Sequence, residues 1–302
     1  MVAFLFAGQG SQYIGMGKDL YQAFPESRLI FEQADQALGF SLSGLMFAGE
    51  AGKLRQTEFS QPAIFTMGIA CYEAFKARHK LMPAYMAGLS LGEYSALAAA
   101  GAFSFADGLR LVRKRAQLME EAILRCPGSM AAVLDLPEQE IKSDCLESGA
   151  EIANLNAPGQ IVISGKKEAI EKASRLCLEK GAKRVIPLEV SGGFHSSLMF
   201  EASVQLRLAL ESATFSRPQV PVVSNYTARP QPQIQEIRDN LAFQLYSPVR
   251  WEESMRFLLA QGVDEFIEFG PGRVLKGLMR KIEPSARVTS IEKKEDILAY
   301  SG

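Results

Sequence analysis

The pentapeptide Gly88-Leu89-Ser90-Leu91-Gly92 is the segment whose residue types and spacing carry the clearest chemistry. It follows a short apolar run, Pro83 to Ala87, and precedes a helix-forming stretch, Leu91 to Ala100, closed by Gly101. This is the setting of a nucleophile elbow. Flanking glycines let the chain reverse sharply, and the serine hydroxyl stands at a helix N-terminus, where unpaired N–H groups favour a developing oxyanion. A serine nucleophile needs a base, and the chain has two histidines. His79 sits in Lys76-Ala77-Arg78-His79-Lys80, a charged helix end, and is expected to be a solvated cation. His195 lies in the Gly-flexed segment Ser191-Gly192-Gly193-Phe194-His195-Ser196, after a strand and before a helix, and is the expected base. No acidic residue occupies an obvious loop between the two, so an amide or a backbone carbonyl is expected to orient the imidazole. Gly8-Gln9-Gly10-Ser11-Gln12 ends the first strand, where ligands bind in open α/β sheets, and can offer a backbone N–H to an oxyanion. It lacks the glycine spacing and the lysine of a phosphate loop.

These residues need a scaffold, and the apolar periodicity supplies one. Val2 to Ala7 reads as a strand. Helical stretches follow over Gly17 to Phe24, Glu26 to Leu38 and Gln61 to Lys80. Asp107 to Leu124 is a long amphipathic helix with Leu109, Val112, Ala116 and Met119 on one stripe. The texture changes after Cys126-Pro127-Gly128. Strand, helix, strand, strand, helix and strand follow at 129–134, 138–146, 151–155, 160–164, 167–180 and 182–188, the order of a ferredoxin-like split unit. Beyond Gly192-Gly193, helices at 201–210, 252–260 and 274–281 alternate with extended segments at 221–224 and 264–269. Arg229-Pro230-Gln231-Pro232-Gln233 reads as a surface loop. The expected fold class is α/β: a parallel sheet covered by helices, residues 1–127 and 189–302, with a small ferredoxin-like subdomain, residues 128–188, inserted.

Composition narrows the classes. Across 302 residues, 33 basic and 34 acidic side chains leave a formal charge of −1, which argues against binding nucleic acid by bulk charge. The chain is 47% hydrophobic and 22% charged, an ordinary globular balance, and long enough to bury about three quarters of its unfolded surface without a metal or disulfide. Cys71, Cys126, Cys145 and Cys177 are scattered with no ligand spacing, so they are expected to be reduced thiols. The six-residue apolar start is too short for a signal peptide, and no run approaches the roughly 20 apolar residues of a membrane span, so a cytoplasmic protein is expected.

Taken in order, FAGQGSQYIGMG, TEFSQPAIF, GLSLGEYSALAAAGAFSFADGLRLVRKRAQLM, NAPGQIVISG, SGGFHSSLM, SPVRW and EFGPGRVLKGLM resemble the motifs of malonyl-CoA:acyl-carrier-protein transacylases over nearly the whole chain. The resemblance implies a hydrolase-like α/β core. Ser90 matches the acylated nucleophile, His195 its base, and Gln9 and Leu91 the residues whose N–H groups form the oxyanion hole. Arg115 matches the arginine that clamps the free malonyl carboxylate; without the resemblance it would read as a solvated charge beside Arg110, Arg113 and Lys114. Gln61 lies in the SQPA motif near the site, Gln244 matches the residue whose carbonyl steadies the histidine, and Asn156 matches a residue at the cleft mouth. Phe194 resembles the malonyl-selective form of its segment, its bulk crowding a branched acyl group.

Two positions depart from the family pattern: Leu89 stands where histidine is usual, and Ala7 where proline is frequent. Leucine there resembles stand-alone acyltransferases that serve modular polyketide synthases and leans the reading towards a polyketide role, with polyketide and fatty-acid synthesis both left open. The implied substrates are malonyl-CoA and a phosphopantetheinylated acyl carrier protein, with no cofactor and no metal. A carrier-docking patch would include Lys166, Lys167, Arg273 and Lys276. The rival reading is an editing acyl-carrier-protein hydrolase of the same fold, whose expected signature, loss of the arginine clamp, is missing here. A lipase would share only the elbow, and a non-catalytic carrier-binding module would not need Ser90 and His195.

Overall fold

The computed structural model describes residues 1–190 and 192–301; Ser191, in the loop before His195, and Gly302 lie outside the described residues. The chain opens with β1 (Val2–Phe6), passes through α1 (Lys18–Ala23), α2 (Pro25–Leu38), α3 (Leu42–Ala48), α4 (Ala51–Arg55) and α5 (Thr57–Lys76), and re-enters the sheet as β2 (Tyr85–Gly88). After α6 (Gly92–Ala99) and α7 (Phe105–Arg125) come β3 (Ser129–Leu134), α8 (Glu138–Ser148), β4 (Glu151–Ala157), β5 (Gln160–Gly165), α9 (Lys167–Glu179) and β6 (Arg184–Pro187). The last part holds α10 (Phe200–Ser212), α11 (Ile234–Gln244), α12 (Trp251–Ala260), β7 (Glu265–Phe269), α13 (Val274–Ile282), β8 (Arg287–Ile291) and α14 (Lys294–Ala299).

Two sheets result. The first is parallel, in the order β2-β1-β7-β8, and its inner strand β1 is apolar on both faces because an apolar cluster packs on each. Phe6 pairs with both Gly88 and Phe269, so β1, β2 and β7 end level. Their following loops, with Gln9, Ser90 and Gly270, therefore emerge along one edge. The second sheet is antiparallel, in the order β4-β5-β3-β6, and shares its own apolar cluster with α8 and α9.

The small sheet also holds connecting segments of the rest of the chain. Leu155 in β4 donates to the Val249 carbonyl at 2.9 Å, and Val249 donates to that of Ala153 at 2.8 Å. Glu151 accepts from the N–H and hydroxyl of Ser197, and a Cβ on Gly128 would stand 2.4 Å from the Gly193 nitrogen. Those contacts pin the segments on either side of His195 and downstream of Gln244.

Several expectations need correction. His79, expected to be a solvated cation, is not a freely solvated side chain: its Nε2 lies 2.8 Å from the Ile297 carbonyl, and its ring packs against Phe75 and Tyr300. The charged neighbours in sequence point outward while the ring turns in. The loop at 229–233 is not all surface, since Gln231 is 1% exposed and reaches Glu93. Helices α3, α4, α11 and α14 and strand β8 carry no counterpart in the sequence reading. The first two are too short to show a helical period, and β8 is a short strand of mixed polarity. Among the described residues, no helix is long and apolar enough to cross a membrane, and Cys71, Cys126, Cys145 and Cys177 are unpaired.

Candidate active site

The elbow is built by close backbone contact. Ser90 links β2 to α6 at φ 54°, a left-handed conformation uncommon for a residue with a side chain. A Cβ on Gly88 would fall 2.0 Å from the Gly92 carbonyl group, and one on Gly92 would fall 2.2 Å from the Phe6 oxygen. Only glycine fits either place. Gly88→Ala is therefore expected to cost more than about 4 kcal/mol, read as loss of folded protein or a collapse of the urea midpoint. Asn225 completes the turn: its Oδ1 accepts the Ser90 N–H at 2.6 Å, and its Nδ2 donates to the Gly88 carbonyl at 2.8 Å.

His195 also has a left-handed backbone, at φ 57°. Its Nε2 lies 2.8 Å from Ser90 Oγ, and its Nδ1 lies 2.8 Å from the Gln244 carbonyl. A carbonyl only accepts, so Nδ1 carries the proton and Nε2 presents a lone pair to the serine hydroxyl. Burial, reinforced by the Arg115 charge, pulls the imidazole down from 6.5 to about 4, so it is neutral near pH 7. The sign for stability follows. Between about pH 6.5 and 4 the unfolded imidazole binds a proton that the folded one does not, so stability falls as pH falls through that window. Comparing urea unfolding at pH 7 and pH 4.5, His195→Gln should lose about 2–3 kcal/mol less than the parent.

Arg115 is the one cation on the buried stripe of α7, where Leu109, Val112, Ala116 and Met119 recur at helical spacing. It is 1% exposed, unlike its neighbours Arg110 and Lys114. Its Nη1 donates to Gln61 Oε1 at 2.7 Å; its Nη2 donates to Ser90 Oγ at 3.1 Å and Gln244 Oε1 at 3.2 Å. Burial pushes its pKa down and nearby Tyr94 and Glu93 push back, but a guanidinium stays charged in proteins. The guanidinium carbon stands 5.7 Å from the centre of the Tyr94 ring.

The loop after β1 passes close to the elbow: a Cβ on Gly8 would stand 2.4 Å from the Leu89 carbonyl. Gln9 Oε1 accepts from Gln61 Nε2 at 3.2 Å. With the Ser90 N–H engaged by Asn225, the Gln9 and Leu91 N–H groups make no hydrogen bond among the described residues. The structure thus brings Ser90, His195, Gln244, Arg115, Gln61 and Gln9 into one hydrogen-bonded set, with Leu91 at the base of the elbow. Phe194 is not part of that set. It is buried at 6% exposure in the main apolar cluster beside Gly192. Asn156, on β4, is buried with its Oδ1 unpartnered. Leu89 is half-buried against the apolar cluster under β1 and α12. Of the expected docking residues, Lys166, Lys167 and Arg273 are exposed, whereas Lys276 is half-buried. Among the described residues, no cluster of three His, Cys, Asp or Glu side chains could hold a metal.

Sequence reasoning missed Glu93 and Asn225. Glu93 is 0% exposed and accepts from the Asn225 N–H at 3.0 Å, Gln231 Nε2 at 2.7 Å and Gln244 Nε2 at 2.8 Å. Its signal was available: an acid three residues after Ser90, inside the otherwise apolar and small-residue run GLSLGEYSALAAA.

An elbow serine, an imidazole held by a carbonyl and a buried guanidinium thus meet at one serine oxygen. The family model described as acyl transferase domain matches residues 3–292, and the chain belongs to that family. Among similar proteins, the malonyl CoA-acyl carrier protein transacylase of Bacillus subtilis is 47% identical over 98% of this chain and 95% of its own. That of Escherichia coli K12 is 42% identical over 96% and 98%. A solved type II polyketide synthase acyl-carrier protein in complex with its malonyl-transacylase superposes with a TM-score of 0.96, at 39% identity, covering 98% of this chain and 97% of the matched one. A crystal structure of MCAT from Streptococcus pneumoniae superposes with a TM-score of 0.94, at 42% identity, covering 99% of this chain and 98% of the matched one.

Proposed function

We propose that this chain moves a malonyl group from coenzyme A to the phosphopantetheine thiol of an acyl carrier protein, in fatty-acid or polyketide synthesis, through an acyl-enzyme on Ser90. The observation that carries the reading is the convergence of His195 Nε2 and Arg115 Nη2 on one Ser90 oxygen. Relatives of nearly full coverage bear the transacylase name, which favours transfer over the editing hydrolase.

The reaction has two halves. His195 Nε2 takes the Ser90 proton as Oγ attacks the thioester carbonyl, and the Gln9 and Leu91 N–H groups hold the oxyanion. The intermediate collapses, the carbon–sulfur bond breaks, and the imidazolium returns its proton to the coenzyme A sulfur. The carrier thiol then gives its proton to His195 and attacks the malonyl ester; the carbon–oxygen bond to Ser90 breaks, and the imidazolium returns the proton to Oγ, which restores Ser90. The Gln244 carbonyl keeps the imidazole in the correct tautomer throughout. Arg115 binds the malonyl carboxylate. That anion would be prohibitively costly to bury unpaired, and a planar fork fixes it in one orientation. Gln61 holds Arg115 to Gln9, and so couples the clamp to the oxyanion donor.

The architecture suits this division. Residues 1–127 and 189–302 form a hydrolase-like catalytic domain, and residues 128–188 a ferredoxin-like subdomain. The β-α-β-β-α-β order and the strand order β4-β5-β3-β6 support that assignment. Its β4 bonds to Val249, downstream of Gln244, and its Glu151 holds Ser197 just after His195, so the subdomain serves as a brace for the base. Phe194 narrows the acyl pocket, Asn156 meets the pantetheine arm at the mouth, and the basic residues Lys166, Lys167 and Arg273 receive the carrier.

The test mixes malonyl-CoA, the protein and a phosphopantetheinylated carrier protein, and reads the carrier's intact mass. Malonyl-carrier should accumulate at a rate proportional to enzyme. Free malonate and unmodified carrier would instead support the hydrolase.

A further inference from the structure

We propose that Glu93 is the counter-ion of Arg115, held one amide away so that the guanidinium stays open to a substrate carboxylate; this rests on the reading of Arg115 as the malonyl clamp. Arg115 is 1% exposed, and its hydrogen-bond partners among the described residues, Gln61 Oε1, Gln244 Oε1 and Ser90 Oγ, are all uncharged. A buried cation with neutral partners alone is costly, and an anion is needed nearby. Glu93 is 0% exposed and likewise meets uncharged donors: the Asn225 N–H, Gln231 Nε2 and Gln244 Nε2. Gln244 joins the two charges. Its Nε2 donates to Glu93 Oε2 at 2.8 Å and to the Ser90 carbonyl at 3.0 Å, while its Oε1 accepts from Arg115 Nη2 at 3.2 Å.

The spacing has a chemical purpose. A carboxylate touching Arg115 would take both arms of its fork and exclude an incoming one. One amide away, the negative charge offsets the cation through a low-dielectric interior and occupies no donor. The carboxylate also orients the bridge. An ionised carboxylate only accepts, so the Gln244 nitrogen must face Glu93 and its oxygen must face the guanidinium. With Glu93 in place, the empty site is close to neutral and the malonyl group adds a surplus anion. It is held firmly enough to be positioned and loosely enough to be handed on. Remove the Glu93 charge, and malonyl becomes the sole counter-ion, bound more tightly and released more slowly.

Glu93→Gln preserves the shape and removes the charge. The KM for malonyl-CoA should fall about five- to tenfold and kcat by a similar factor, while acetyl-CoA parameters stay within about twofold. Malonylation should raise the thermal midpoint of Glu93→Gln by more than it raises that of the parent. Glu93→Asp keeps the charge and should keep the parental malonyl KM. Where Glu93→Gln folds poorly, the double variant Glu93→Gln/Arg115→Gln should recover a higher thermal midpoint than the single, because both charges are gone. A raised malonyl KM, equal changes for malonyl and acetyl, or a double variant that melts below Glu93→Gln would each overturn the proposal. If Arg115→Gln alone leaves the malonyl preference intact, the clamp reading fails. The thermal coupling of positions 93 and 115 then still decides separately whether they form a charge pair.

Discussion

Arg115→Ala should abolish the preference for malonyl over acetyl thioesters, with malonyl kcat/KM falling on the order of 10²–10³-fold. The size follows from what the side chain does. A buried carboxylate that loses its guanidinium keeps its desolvation cost and gains nothing in return. An acetyl group has no carboxylate for Arg115 to hold, so its loading should stay close to the parental level. Competition between the two coenzyme A thioesters, read by the mass of the acyl-enzyme, gives the ratio in one experiment. Unchanged discrimination would remove Arg115 from substrate recognition and reduce it to a buried structural cation.

The second large effect concerns the base. His195→Ala should lower kcat on the order of 10⁴-fold for malonyl and acetyl donors alike, because proton removal from Ser90 precedes both. With the imidazole held near 4 by burial and the Arg115 charge, kcat/KM in the parent should be level from about pH 5.5 to 8 and fall below about pH 4. A steep decline centred at pH 6.5 would show an imidazole in water rather than the enclosed one seen here. The contrast between the two variants is diagnostic: one changes which acyl group is taken, the other how fast any is taken.

The sheet and its elbow were legible because each rests on a local signal. The GxSxG spacing needs glycine where Gly88 and Gly92 press against backbone, and β1 and β2 are continuous apolar runs between breakers. Arg115 reads as a solvated charge from its basic neighbours Arg110, Arg113 and Lys114, and only the resemblance pointed it inward, although it falls between Val112, Ala116 and Met119 on the buried stripe of α7. That the arginine touches Ser90 was not legible either, because the contact joins helices α6 and α7 through their tertiary packing. The same holds for the polar network behind the elbow. Asn225, Gln231 and Gln244 are separated from Glu93 by 132, 138 and 151 residues, and no periodicity links them. His79 misled for a related reason: a charged neighbourhood in sequence says little about which way one ring turns when Phe75 and Tyr300 offer it two faces.

Brief incubation of the protein with malonyl-CoA, followed by protease digestion and peptide mass mapping, tests the central claim most directly. One malonyl ester should appear, on Ser90, absent from Ser90→Ala and discharged when a phosphopantetheinylated carrier protein is added. Carrier malonylation that persists in Ser90→Ala, or an adduct on any other residue, would contradict it.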